Sequence, residues 1–393
     1  MTGSARLQAL LDEGVAAGVF PCATAVVLHR GRRVFEGAAG GATTRTVFDL
    51  ASLTKVLATT PLFLTLWRDG LLVPETPMAR LLPPAPVGRA GATIADLLAH
   101  RTGLPGFVPL FVPVLRATPA LFAPDCPAAV RAAARADTLA RALAVAPEAP
   151  VGSRALYSDV GFIVLGEALA VAAGVPLDVA FVERVAAPLG AGMRFHRLST
   201  QAREPVSGGR GSRVAPTGRT RPREPTPGQE GLWEPVPPQP SPAGEVDDDN
   251  AWVMDGVAGH AGLFGTAADV AAFGRAVLDD WAGAGRLAPA PCWARALARD
   301  AGTPDSTRAL GFATRRPGDP PTTSAGHRLG DRPPGAVGHT GFTGTSLWID
   351  LVRGLVVVLC TNRTAGARGR ADLRINDFRP RFHDAVVEAL DPA

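Results

Sequence analysis

Apolar residues recur at Leu7, Leu10, Leu11, Val15 and Val19, a spacing that predicts an amphipathic helix over 5–19. Residues 23–28 and 34–37 read as two strands around the His29-Arg30-Gly31-Arg32 turn. The apolar run 56–67 is long enough for a helix, and Pro61 inside it should kink or shorten that helix. Residues 93–100 read as a short helix opened by a threonine cap and closed by the turn 101–106. Two more helical stretches follow, the alanine- and arginine-rich 127–146 and the apolar 160–173. A glycine-rich turn over 256–265 precedes a helix over 266–278 with Thr266 as its cap. Residues 310–314, 346–350 and 354–360 read as strands, the last two a hairpin over Leu351-Val352-Arg353, and 375–390 is a closing helix.

Strands thus lie at both ends of the chain and helices fill the middle. The fold class is α+β: one antiparallel sheet built from both termini, flanked by helices, with a mostly helical region inserted. The division is a sheet domain of 1–70 and 250–393, a helical domain of 71–197, and an excursion over 198–249. The excursion is rich in Pro, Gly, Arg, Ser and Glu and has little apolar periodicity. Arg203, Arg210, Arg213, Arg219, Arg221 and Arg223 in it suit either an acidic partner or, the preferred account, a solvated loop. The boundary between sheet and helical region is the natural cleft.

Composition narrows the class. Of 40 basic residues only Lys55 is a lysine, so the net charge of +4 and the sequence pI of about 9.3 reflect arginine use rather than a nucleic-acid-binding face. Cys22, Cys126, Cys292 and Cys360 are scattered without CxxC spacing and read as buried free thiols. No cofactor motif is visible. Asp247-Asp248-Asp249 lacks the spacing of a metal loop and reads as solvated charge, so no metal is assigned. No signal peptide is visible and no run of about 18 apolar residues suggests a membrane span; the expected location is cytoplasmic.

The chemistry centres on Ser52 and Lys55. If a helix opens at Ser52, positions i and i+3 share a face and the hydroxyl meets the amine. The hydroxyl would sit at the positive end of that helix. Alone, Ser52 reads as a helix cap; an arginine-rich chain that keeps its single lysine beside a serine points instead to proton transfer, which arginine cannot perform. The single tyrosine, Tyr157, falls in Tyr157-Ser158-Asp159. In a chain with 16 phenylalanines, a core aromatic there would not need the hydroxyl.

Ser52-Leu53-Thr54-Lys55, Tyr157-Ser158-Asp159 and His339-Thr340-Gly341, in that order, resemble the serine β-lactamase and penicillin-recognising family, in its class C-type branch of β-lactamases, D-alanyl-D-alanine carboxypeptidases and esterases. Gly103-Leu104-Pro105-Gly106, Pro188-Leu189-Gly190 and Gly262-Leu263-Phe264-Gly265-Thr266 extend the resemblance over roughly residues 5–390. It implies a β-lactamase/transpeptidase-like fold and an acyl-enzyme mechanism on a small ester or amide. Ser52 is then the nucleophile, and Lys55 and Tyr157 are the two candidate bases. The oxyanion hole is placed at the backbone N–H groups of Ser52 and Phe342. Asp159, His339, Thr340 and Gly341 contact substrate. Asp159 stands where asparagine is common; its alternative role is a hydrogen bond to Lys55, and its charge would favour protonated Lys55. His339 replaces a lysine and could bind a carboxylate only when protonated, which leans away from β-lactam hydrolysis. His100 and His260 read as structural. The competing readings are a β-lactamase and a penicillin-binding sensor acylated without turnover. Natural substrate and oligomeric state stay open.

Overall fold

The computed structural model describes residues 2–200, 214–225, 229, 231–232, 234, 236–322, 324–366 and 372–391. Its centre is a six-stranded antiparallel sheet. In chain order the strands are β1 (Ala23–His29), β2 (Arg32–Ala39), β3 (Ala313–Arg315), β4 (Ala336–Thr340), β5 (Ser346–Asp350) and β6 (Leu355–Thr361), in spatial order β2-β1-β6-β5-β4-β3. The two chain ends meet where β1 pairs with β6, Val26 opposite Val358.

β6 explains the layers. It lies inside the sheet and is apolar on both faces, so side chains two apart enter separate cores. Val356, Val358 and Cys360 face a core shared with the helix Ala267–Trp281 and the inserted helices. Leu355, Val357 and Leu359 face a core with Leu7, Leu11, Phe378 and Phe382, from the N-terminal helix Gly3–Ala16 and the closing helix Asp372–Leu390. Gly274 lets the Ala267–Trp281 helix approach closely: a Cβ there would lie 2.5 Å from Val356 Cγ1.

Between β2 and β3 the inserted helices include Ile94–Leu98, Ala128–Ala144 and Asp159–Ala173. Asp159–Ala173 is apolar nearly all round and buried along most of its length, as a central packing helix must be. No single helix among the described residues is long and apolar enough to cross a membrane.

Several expectations are corrected. The helical run from Leu53 is not shortened by Pro61; it passes through a π turn, Lys55–Thr59, into the α-helix Thr60–Arg68, with Pro61 in its first turn. The wide turn comes where the proline's missing N–H removes a regular helical bond. Strand β4 carries no clear apolar alternation, because Gly338, His339 and Thr340 occupy it, and only pairing with β3 and β5 makes it a strand.

The stretch 198–249 is not simply solvated. Arg203, Arg210 and Arg213 lie outside the described residues, and Arg219 is exposed. Arg221 and Arg223 are buried. Arg221 bonds Asp249 and sits 4.9 Å from the Trp252 ring centroid; Arg223 pairs with Asp247 at 3.3 Å. Asp247 and Asp249 are buried with them. Charges that look hydrophilic one by one neutralise each other in space, which permits their burial. The four cysteines are free, but only Cys360 is buried; the other three are half-buried.

Candidate active site

The turn before Ser52 is braced by side chains from within it. Asp49 Oδ1 accepts the Ala51 N–H at 2.8 Å, and Ala51 takes a positive φ of 47°, uncommon for a residue with a Cβ. Thr54 Oγ1 donates to Ala51 O at 2.6 Å. Asp49 Oδ2 accepts the Asp247 N–H at 2.6 Å. Burial, reinforced by Asp247, raises the Asp49 carboxyl to about 7 despite those N–H donors. This turn delivers Ser52 to the N-terminal end of the helix, where the peptide dipole favours negative charge.

One helical turn on, Lys55 is fully buried. Its ammonium has three hydrogens and finds three acceptors: Ser52 Oγ at 3.0 Å, Asp159 Oδ1 at 2.7 Å and His260 O at 3.1 Å. Burial favours the neutral amine, but Asp159 and then Tyr157 outweigh it and hold Lys55 above its ordinary range.

Tyr157 OH donates to Ser52 Oγ at 2.9 Å. The tyrosine is held by the turn after Ile94–Leu98: Leu156 N–H bonds His100 O at 2.8 Å, Ser158 N–H bonds His100 Nδ1 at 3.0 Å, and Ser158 Oγ bonds Pro105 O at 2.7 Å. Ser158 also caps the Asp159–Ala173 helix by accepting the Gly161 N–H. His100 is structural in this sense, and its ring lies 4.6 Å from that of Tyr157. Burial raises the Tyr157 phenol; Lys55 opposes that rise and Asp159 adds to it. The resting site therefore holds an ammonium, a carboxylate and a neutral phenol around one hydroxyl.

His339, Thr340 and Gly341 end β4 and form the opposite wall. His339 Nδ1 donates to Thr340 O at 2.7 Å, which leaves Nε2 as a buried lone pair with no hydrogen-bond partner among the described residues. Burial, with Lys55 and Arg308 adding repulsion, pushes His339 well below its ordinary range. It is neutral, and so is no cation for a carboxylate. The Gly341–Thr345 turn is tied to the serine turn: Thr343 Oγ1 donates to Asp49 O at 2.8 Å and Thr345 Oγ1 to Leu50 O at 3.1 Å. Arg379, from the closing helix, donates to Gly341 O at 2.7 Å and Thr345 O at 3.0 Å. A Cβ on Gly341 would lie 2.7 Å from Leu50 O, so only glycine fits between the two turns. Phe342 is partly exposed at the cavity wall, with the Arg363 guanidinium 4.6 Å from its ring centroid.

His260 bonds Asp248 Oδ1 through Nε2 at 2.9 Å. Burial works against ionising Asp248, yet His260 brings it down to about 2. Thus His260 orders the loop, and its carbonyl also takes a Lys55 hydrogen. Among the described residues, no three or more His, Cys, Asp or Glu side chains are grouped to hold a metal ion.

Ser52, Tyr157, Asp159, His339, Thr340, Gly341 and Phe342 line a cavity of about 660 Å³, together with Phe107, Phe111 and Arg308. That volume suits a small organic molecule. The three sequence motifs, far apart along the chain, all reach it. Arg308 and Asp49 were not singled out by the sequence: one is an arginine among 39, the other an aspartate in no recognisable spacing.

Comparison with known proteins agrees with this architecture. The family described as Beta-lactamase matches residues 7–379. A candidate D-alanyl-D-alanine carboxypeptidase of Escherichia coli strain K12 is 30% identical over 337 residues, covering 82% of this chain and 70% of its own length. An N-acetylmuramyl-L-alanine amidase of Bacillus subtilis strain 168 is 28% identical over 396 residues, covering 91% and 80%. A penicillin-binding protein homologue from Caulobacter crescentus superposes with a TM-score of 0.66 at 20% identity, over 98% of this chain and 97% of that one. The chain belongs to the beta-lactamase family of serine hydrolases and has the β-lactamase/transpeptidase-like fold.

Proposed function

We propose that the protein hydrolyses a small ester or amide through an acyl-enzyme on Ser52, in the manner of an esterase or D-alanyl carboxypeptidase. The observation that carries this reading is the placement of Lys55 Nζ and Tyr157 OH at 3.0 and 2.9 Å from one serine oxygen. A serine hydroxyl needs such neighbours to become a nucleophile.

Both neighbours donate to Ser52 Oγ and so occupy its lone pairs at rest. A proton must leave the Lys55–Tyr157 pair before either can accept the serine proton, and the pair titrates as a unit. Once it has left, Ser52 Oγ forms the bond to the carbonyl carbon and its proton moves to the pair. The pair returns that proton to the departing amine or alkoxide as the bond to the leaving group breaks. Water then releases the acid. The backbone N–H groups of Ser52 and Phe342 are the proposed donors to the carbonyl oxygen. Asp159, Thr340 and Gly341 line the same cavity as Ser52 and are the proposed substrate contacts. Neutral His339, where β-lactamases of this family carry lysine, favours this reading over β-lactam hydrolysis.

The test is labelling with a fluorophosphonate and a labelled penicillin, followed by peptide mapping and ester turnover. Label on the Ser52 peptide with steady turnover is expected. Label elsewhere would remove the nucleophile assignment; one equivalent released with no later turnover would make the protein an acylated sensor.

A further inference from the structure

Asp49 is buried and lies where three segments of the site meet. Within its own turn, Oδ1 accepts the Ala51 N–H at 2.8 Å and so holds Ala51 in its left-handed conformation, one residue before Ser52. Oδ2 reaches a segment 198 positions away, accepting the Asp247 N–H at 2.6 Å. The Asp49 carbonyl accepts Thr343 Oγ1 at 2.8 Å, from the turn that carries Phe342.

The Asp247 contact leads back to the lysine. The next residue, Asp248, accepts the Ala251 N–H at 2.7 Å, capping the helix Asp249–Val253, and holds His260 Nε2 at 2.9 Å. The His260 carbonyl takes one of the three Lys55 hydrogens at 3.1 Å. Asp49 thus borders Ser52 through Ala51 and reaches Lys55 through residues 247, 248 and 260.

Two N–H groups, one on each oxygen, are matched by a carboxylate, which accepts on both; an amide would accept on one and donate on the other. The surroundings do not favour the charge. The strand Leu263–Gly265, the turn 341–345 and residues 214–217 pack against this segment and carry no ionisable side chain. Lys55, on the helix that follows, is turned to Ser52 and Asp159. The charges acting on Asp49 are those of Asp247 and Asp248, both negative, though Asp247 is paired with Arg223 and Asp248 with His260. Burial and these acids bring the carboxyl to about 7. A proton on either oxygen would face an N–H that has a hydrogen of its own.

We propose that ionised Asp49 is a positioning residue for acyl transfer: it fastens the serine turn to residues 247–248 and so sets Lys55 against Ser52, and its protonation loosens both. This rests on the acyl-enzyme reading above. Asp49 is not among the residues that line the cavity, so it acts through Ser52 and Lys55 and not on substrate. The Lys55–Tyr157 pair titrates on the alkaline side, because both members are raised above their ordinary values. A step in rate near pH 7 therefore belongs to another group.

The experiment measures ester kcat/KM against pH for the wild type and Asp49→Asn, each normalised to the sites that a fluorophosphonate labels. Asparagine copies the shape of the protonated acid. The wild type should exceed the variant by about 10-fold or more at about pH 9, the effect of leaving a buried N–H unpaired, and the ratio should approach one at about pH 5. Asp247→Asn keeps the N–H and removes the nearest charge, so the wild-type step near 7 should move to lower pH; this variant decides the matter if Asp49→Asn does not fold. A ratio that stays constant with pH, or a step unmoved in Asp247→Asn, leaves Asp49 a mere buttress and overturns the proposal, while steady turnover at labelled Ser52 keeps the hydrolase reading standing. If Ser52 takes no label, both fall together.

Discussion

Lys55 Nζ lies 2.7 Å from Asp159 Oδ1, a contact between residues 104 positions apart that sets the charge of the site. The carboxylate holds the lysine as an ammonium and also disfavours ionisation of Tyr157. Both effects lower the population of the base-competent pair at neutral pH. Asp159→Asn removes that charge and keeps the shape. The alkaline rise of kcat/KM with pH should therefore move to lower pH by about one unit or more, with higher activity at pH 7. A rate–pH profile that stays in place would show that Asp159 does not govern the pair.

Lys55→Arg and Tyr157→Phe test the two members of that pair separately. Arginine keeps the charge but cannot give up its proton, and Lys55 has no exposed surface into which a larger group could expand. Phenylalanine keeps the ring against His100 and removes only the hydroxyl. Each should lower kcat/KM by about 10²–10⁴-fold, the range for a positioned acid–base group. Retention of most activity in either variant would transfer the proton role to the other residue.

Gly341→Ala drives a methyl group between Thr345 Oγ1 and Leu50 O, where the turn carrying Phe342 meets the turn carrying Ser52. Overpacking of this kind costs about 1–3 kcal/mol. The melting temperature should fall and kcat should fall with it, because the two proposed oxyanion donors sit on the displaced turns. A variant with native kcat would separate the turn spacing from catalysis.

Acid should weaken the fold through its buried histidines. Burial lowers His100 and His339 well below 6.5, His196 to about 4 and His383 to about 3. In the unfolded chain all four take up protons below about 6.5; in the folded chain they do not. Their contribution is fully present above 6.5 and is lost as pH falls from there toward the folded values. The slope is at most about 1.4 kcal/mol per pH unit for each histidine. Asp49, raised to about 7, opposes this with a single proton between 7 and its unfolded value. Melting curves should thus shift downward from pH 7 to pH 5; an equal or higher melting temperature at pH 5 would contradict the neutral assignments.

What the sequence determined was the local geometry. A spacing of three residues on a helix puts Ser52 and Lys55 on one face whatever surrounds them, and the short apolar runs of β1, β5 and β6 read as strands. The solitary lysine and tyrosine marked where proton chemistry belongs. Tertiary structure decided what depends on distance through space. It decided that Asp159 meets Lys55, that the arginines at 221 and 223 are buried against acids, that β4 is a strand by pairing alone, and that Arg308 reaches the cavity. Helix and strand periods are set by a few neighbouring peptide units, whereas charge state follows desolvation and Coulomb forces between residues the chain brings together only when folded.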